Sequence, residues 1–364
     1  MSHQKLLYKL QNYGISGNLL NWIKNFLSGR VQCTKVGDAF SPYKYLSSGV
    51  IQGSCLGPLL FVIYVNDVVS IFGEDCVCKL YADDMKLYMR MNSSYCASRL
   101  QNCLDRLTSW SQTWQLNIAY QKCAIVKIGK TTPDCSYAIA SKRLASIGVV
   151  KDLGVFVDDS LNFSNHICHI VTRAFTRANL ILKCFYSKHV PTLVRAFVVY
   201  VRPLLEYASP VWNPHLIKDI KRLESVQRQF TKRLPGMANR TYMERLAVTG
   251  LESLELRRLR HDLVCAYKIL SNKFLPSHTI TPESPGLMDV NVNDLFSFNL
   301  STHTRGHPHK LYKARCTKST RQNFFANRVI NVWNSLPATV CFNSLTGFKR
   351  SLCDINFSEF LKCY

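Results

Sequence analysis

Acidic residues are scarce in this chain, long apolar runs are missing, and no two cysteines form a Cys-x-x-Cys pair. Its 364 residues hold 23 Asp and Glu against 46 Lys and Arg, a formal charge of +23. That imbalance points to a phosphate backbone as partner. The 15 cysteines are scattered and odd in number, which indicates neither a disulfide framework nor a zinc ribbon. His303, His307, His309 and Cys316 are zinc-type ligands, but their spacing matches no common finger. The chain opens on the polar stretch Met1-Ser2-His3-Gln4-Lys5 rather than a secretory leader, and no run reaches bilayer-spanning length. The thiols therefore read as reduced, and the protein as intracellular and not secreted, with no membrane partner. No internal repeat is present. With 47% hydrophobic residues, the chain can bury a substantial core and build more than one domain.

Tyr81-Ala82-Asp83-Asp84 carries the clearest chemistry. Around it, Cys76 to Leu80 and Met85 to Met89 roughly alternate apolar and other residues, which predicts two short strands joined at the acids. Two adjacent carboxylates repel each other, and a hard divalent cation such as Mg²⁺ would relieve that cost. Acid pairs also occur in solvated turns, and this chain has a second one at Asp158-Asp159.

Upstream runs Ser48-Gly49-Val50-Ile51-Gln52-Gly53, then Leu56-Gly57-Pro58-Leu59-Leu60-Phe61 and Asn66-Asp67. The glycines permit close backbone approach to a ligand, and Pro58 suits the first turn of a helix. Leu59 to Val65 is apolar on every face, which predicts a buried helix. Together with the acid pair, these segments resemble the reverse transcriptases of non-LTR (LINE-type, jockey/CR1-like) retrotransposons. Further segments are similar to the same family: Trp114-Gln115-Leu116-Asn117, Lys122 to Val126, Lys151 to Val157, Tyr200 to Ala208, Leu223 to Arg228, Tyr242 to Leu246 and Val332 to Pro337.

The resemblance implies RNA-directed DNA polymerase activity, a two-metal nucleotidyl transfer in which a primer 3′-hydroxyl attacks a deoxynucleoside triphosphate and pyrophosphate leaves. It implies Asp83 and Asp84 as catalytic and Mg²⁺-binding residues, Gln52, Gly53 and Lys122 at the nucleotide, and Leu153 and Gly154 in a primer grip. The implied partners are an RNA template, a DNA primer, their hybrid and deoxynucleoside triphosphates, in the nucleus and/or cytoplasm. It also implies a third aspartate, in a segment ending like Ala-Phe-Asp just ahead of Ser2 to Leu7. Asp38, Asp67 and Asp75 stand in the wrong motif context to replace it. The expectation is an N-terminally truncated fragment that holds Mg²⁺ weakly and has little or no activity alone. The alternative is a noncatalytic nucleic-acid-binding remnant of a decayed mobile element.

The expected fold is α+β. Residues 1–160 would form a partial polymerase palm, an antiparallel sheet with helices, including helices over Gln4 to Leu10 and Leu19 to Phe26 and strands near Val31 to Val36 and Tyr43 to Ser47. Leu100, Cys103, Leu104, Leu107, Trp110 and Trp114 predict a helix lying on that sheet. Residues 161–273 would form a helical, thumb-like domain with stops near Pro191, Pro210, Pro235-Gly236 and Gly250. Residues 274–364 would be a basic C-terminal region opening on a linker to about residue 310. Charge follows this division: residues 1–160 hold 17 basic and 11 acidic groups, and 161–364 hold 29 and 12. Ile217, Ile220, Leu223, Val226, Phe230 and Leu234 form an apolar helical stripe, with Lys218, Lys221, Arg222, Arg228, Lys232 and Arg233 largely on other faces.

Overall fold

A computed structural model describes residues 1–74, 76–91, 94–129, 135–274, 295–299 and 306–363. These fall into two compact units that divide between Ile147 and Gly148.

The first unit is α+β. Helices α1 (His3–Asn12), α2 (Gly17–Leu27) and α3 (Leu56–Asn66) and the long α4 (Ser94–Trp114) enclose a core of Leu6, Leu10, Ile23, Leu27, Leu60, Tyr64, Cys103, Leu107 and Trp110. Spacing of three and four residues along α4 brings its apolar stripe onto this core, as the sequence predicts. The α3 helix is less buried than its composition suggests. Leu60, Tyr64 and Val65 face inward, but Leu59 and Val62 remain about half exposed. The strands pair as short two-stranded ladders, antiparallel except for Ala124–Ile125 beside Ala145–Ser146.

In the second unit, a β-hairpin of Val149–Asp152 and Val155–Asp158 precedes a helical bundle: α5 (Ser164–Cys184), α6 (Val190–Tyr200), α7 (Arg202–Glu206), α8 (Ser209–Trp212), α9 (Ile217–Lys232), α10 (Tyr242–Thr249) and α11 (Leu254–Phe274). Then follow α12 (Ser319–Gln322), α13 (Phe325–Ser335) and α14 (Leu345–Cys353). The boundary expected at residue 160 moves to 147/148, because Val155 and Val157 pack with Ile167, Ile170 and Trp212 of this unit. No separate body starts at 274 either. Leu263, Tyr267 and Leu270 of α11 share one core with Val329 and Trp333 of α13 and Phe348 and Leu352 of α14.

Helices break near Pro191 and Pro210 as expected, and each proline stands in the first turn of the helix that follows, α6 and α8, where a missing N–H costs nothing. Gly250 does end α10, in the left-handed conformation. Much of the expected linker lies outside the described residues, but its described part is not loose. Phe298 bridges Leu311, and Phe296, His307 and Leu311 are buried.

Candidate active site

In the first unit, Val77–Tyr81 pairs antiparallel with Asp84–Tyr88, with Tyr81 opposite Asp84. The turn is therefore Ala82–Asp83, and Asp84 opens the second strand rather than sharing the turn. Ala82 takes a left-handed φ of +53°, a conformation that costs a residue with a Cβ about 1 kcal/mol. The inner face of the hairpin presents Cys78, Leu80, Met85 and Leu87 to the core. Burial there pushes the Cys78 thiol up to about 11, so it stays protonated beneath the acids. The outer face carries Tyr81 and Asp84, then the cross-strand pair Lys79 and Lys86. Period-two alternation alone places both lysines there, behind the acids.

Asp83 and Asp84 are both exposed, and neither carboxylate makes a hydrogen bond or ion pair with another described residue. Their oxygens are available to a hard cation. Among the described residues, no group of three or more Asp, Glu, His or Cys side chains is placed to hold a metal. Asp67 is already committed: it accepts from Lys9 Nζ, which is buried among the rings of Tyr64, Trp110 and Trp114, 3.8 Å from the Trp114 ring. Asp38 sits in the turn between Val36 and Ala39, and Asp75 lies outside the described residues.

Gln52 and Gly53 occupy an exposed turn leading into α3, with Gly53 at φ +80°. Ser54 Oγ fixes this turn, donating to Ile51 O at 2.7 Å and accepting from Gly57 N–H at 3.0 Å. A Cβ at Gly57 would lie 3.0 Å from both Ile51 O and Ser54 Oγ, so glycine is needed there for close approach. Lys122 ends a 3₁₀ turn, Tyr120–Lys122, just ahead of Ala124–Ile125, and is exposed. These pieces hang on contiguous cores. Val50 and Leu56 pack against the same core as Leu80 and Met85 of the acid hairpin, and Leu87 packs against the same second core as Cys123 and Ile125 beside Lys122. Among the described residues, Gln52 and Lys122 make no side-chain hydrogen bond to the acids.

Leu153 and Gly154 lie in the second unit, as the turn of its hairpin, with φ of +43° and +88°. Two positive φ values match the twist of paired strands. The Tyr207 hydroxyl donates to Leu153 O at 3.0 Å, and a Cβ at Gly154 would stand 3.3 Å from the Tyr207 ring. Tyr207 belongs to a segment whose family likeness was visible in the sequence, but its tie to this turn was not. The basic helix α9 matches expectation more fully. Ile220, Leu223, Val226 and Phe230 are buried, Ile217 is not, and all six cations, Lys218, Lys221, Arg222, Arg228, Lys232 and Arg233, are exposed. Both acids of the helix, Asp219 and Glu224, are buried, so the outer face is purely cationic. Of the zinc-type group, His303 lies outside the described residues. His307 packs edge-on to Trp333, and its Nε2 lies 2.8 Å from Trp333 O.

The sequence profile described as "Reverse transcriptase (RNA-dependent DNA polymerase)" matches residues 1–144, the span that holds the acid hairpin and the Gln52–Gly53 turn. Residues 1–144 belong to the reverse transcriptase family. Their fold is the palm of that family, and their kind is the non-LTR, LINE-type. The RNA-directed DNA polymerase from mobile element jockey of Drosophila funebris is 28% identical over 245 residues, 64% of this chain and 27% of that protein. A probable RNA-directed DNA polymerase from transposon X-element of Drosophila melanogaster is 27% identical over 226 residues, 59% of this chain and 24% of that protein. An uncharacterised protein of Caenorhabditis elegans is 34% identical over 128 residues, 34% of this chain and 65% of that protein. The chain thus spans about a quarter of the length of the mobile-element polymerases it matches.

Proposed function

We propose that the first unit is the catalytic palm of an RNA-directed DNA polymerase and that the Ala82–Asp83 turn is its metal-binding point. The observation that carries this reading is the hairpin itself: two adjacent, exposed, unpaired carboxylates held on a rigid turn whose inner face is anchored in the core. Asp83 and Asp84 fit Mg²⁺, a hard ion commonly bound through one or two carboxylates together with substrate phosphates. When bound, the metal would activate the primer hydroxyl and stabilise the leaving pyrophosphate. Asp83, at the apex, is the principal ligand and Asp84 assists. Gln52 and Gly53 position the incoming deoxynucleotide against the template, and Lys122 adds a positive charge near its phosphates.

The Leu153–Gly154 turn, pinned by Tyr207, serves as the primer grip, and the cationic face of α9 holds an RNA–DNA hybrid by its backbone. Because only two carboxylates gather at the described site, the chain by itself holds the metal weakly and extends primers slowly. Primer extension on an RNA template with Mg²⁺ tests this. Extension should be slow, and Asp83→Ala should abolish what there is. Extension that persists in Asp83→Ala contradicts the assignment of the site, while vigorous extension by the unaltered chain contradicts only its weakness.

A further inference from the structure

Residues 30–46 form a projecting hairpin in the first unit that neither the acid turn nor the basic bundle explains. Every residue from Val31 to Tyr45 is exposed except the half-buried Cys33. Val31 pairs with Tyr45, Gln32 with Lys44, Lys35 with Phe40 and Val36 with Ala39, and Leu46 N–H donates to Arg30 O at 2.8 Å. The register slips by one between these ladders. Ser41 N–H donates to Thr34 O at 2.9 Å, so the extra residue is Pro42, which has no N–H to leave unpaired.

The slip has a definite effect on the faces. Directly opposed residues share a face, and so do residues two apart on one strand. Val31, Lys35, Phe40, Tyr43 and Tyr45 therefore all project from one side. Phe40, Tyr43 and Tyr45 are 60%, 71% and 83% exposed. Without the bulge at Pro42, Phe40 would point the other way from the two tyrosines. Arg30, Lys35 and Lys44 supply positive charge along the hairpin, against Asp38 alone.

We infer that this face binds single-stranded nucleic acid, with bases stacked on Tyr43 and Tyr45 and the backbone held by Lys35, the cation that projects from the same side. Exposed rings interleaved with cations suit unpaired bases, whose flat faces are open, whereas a duplex hides those faces inside its own stack. Tyr43 and Tyr45 stand two residues apart, roughly 7 Å along the strand, enough for one base to enter between their rings. A second copy of the chain fits poorly, because it would bring like-charged hairpins together. The site is separate from the acid hairpin and does not depend on its role.

Equilibrium binding of fluorescent oligonucleotides to the full chain tests the inference, using oligouridylate, oligothymidylate, a blunt duplex and an abasic strand of equal length. Tyr43→Ala and Tyr45→Ala should each weaken single-strand binding roughly tenfold while leaving duplex binding unchanged, and Tyr45→Phe should retain it. The abasic strand should bind the unaltered chain about as weakly as a normal strand binds the alanine variants. Because these side chains are mostly exposed, unfolding temperature should hardly move. Comparing the uridylate and thymidylate arms shows whether RNA or DNA is preferred. Equal losses for single strand and duplex, or full-strength abasic binding, would overturn the inference. So would concentration-dependent self-association that Tyr45→Ala abolishes.

Discussion

Single residues decide the shape of both turns named above, and each can be tested alone. Gly154 sits at φ +88° beneath Tyr207, where a Cβ is both strained and crowded. Gly154→Ala should cost about 1–2 kcal/mol, read by chemical denaturation, with amide protection lost across residues 149–158. Tyr207→Phe keeps the ring and removes only the donor to Leu153 O, and should cost about 1 kcal/mol. In the first unit, Lys9 is the buried partner of Asp67 and lies among three aromatic rings, with burial drawing its pKa down. Lys9→Ala removes the cation and its packing together. It should destabilise that unit by about 3 kcal/mol, since it strands Asp67 and empties the aromatic cage.

Elements show what the sequence could and could not convey. The acid hairpin was legible because rough alternation on both sides of Asp83 specifies two half-buried strands. Helix α4 was legible because its apolar stripe keeps one face over about four turns, from Leu100 to Trp114. The exposure of Leu59 and Val62 was not legible, since apolar composition fixes no partner for each face. Lys122 was read from its likeness to a palm motif, while the turn bond from Lys122 N–H to Ala119 O is a backbone choice with no side-chain signature.

Helix α9 was nearly complete in the sequence, apart from the burial of its acids. Glu224 accepts from the Tyr242 hydroxyl and from Leu254 N–H, so two family-like segments, Leu223 to Arg228 and Tyr242 to Leu246, turn out to be locked together inside the bundle. With its acids turned inward, α9 presents cations alone. Lys221→Ala with Lys232→Ala should leave the helix intact and lower the slope of log affinity against log salt for an RNA–DNA hybrid by about 1–2.

At the scale of the molecule, two buried histidines set the response of the second unit to acid. His166 accepts from Phe156 N–H and packs on Trp212, and His307 packs with Trp333 and Phe342; burial lowers each to about 4. An unfolded histidine titrates near 6.5, so the unfolded state binds more protons between these values. Their contribution is fully present above about pH 6.5 and is lost as pH falls toward about 4, on the order of 3 kcal/mol for each. Glu224 acts in the opposite sense, because burial raises its pKa and its charged form costs more as pH rises. Two histidines outweigh one carboxylate over this window. Thermal unfolding followed between pH 7 and pH 4 should therefore show falling stability, with hydrogen exchange rising first in the second unit. His166→Asn should flatten the slope.

The division into units was only partly legible. Family likeness suggested a break near 160 and composition one near 274, but a boundary is set by which core a segment joins: Val155 and Val157 join one core of the second unit and Leu311 joins its other.

The central claim is that the carboxylates of Asp83 and Asp84 form the metal-binding point of a reverse transcriptase palm. Electron paramagnetic resonance of Mn²⁺, titrated into the full chain with a deoxynucleoside triphosphate present, tests it without requiring turnover. The free-ion signal should fall on adding the chain beyond the loss that the nucleotide alone produces, and Asp83→Asn with Asp84→Asn should restore it. A signal that falls equally for the unaltered chain and the double variant would contradict the claim.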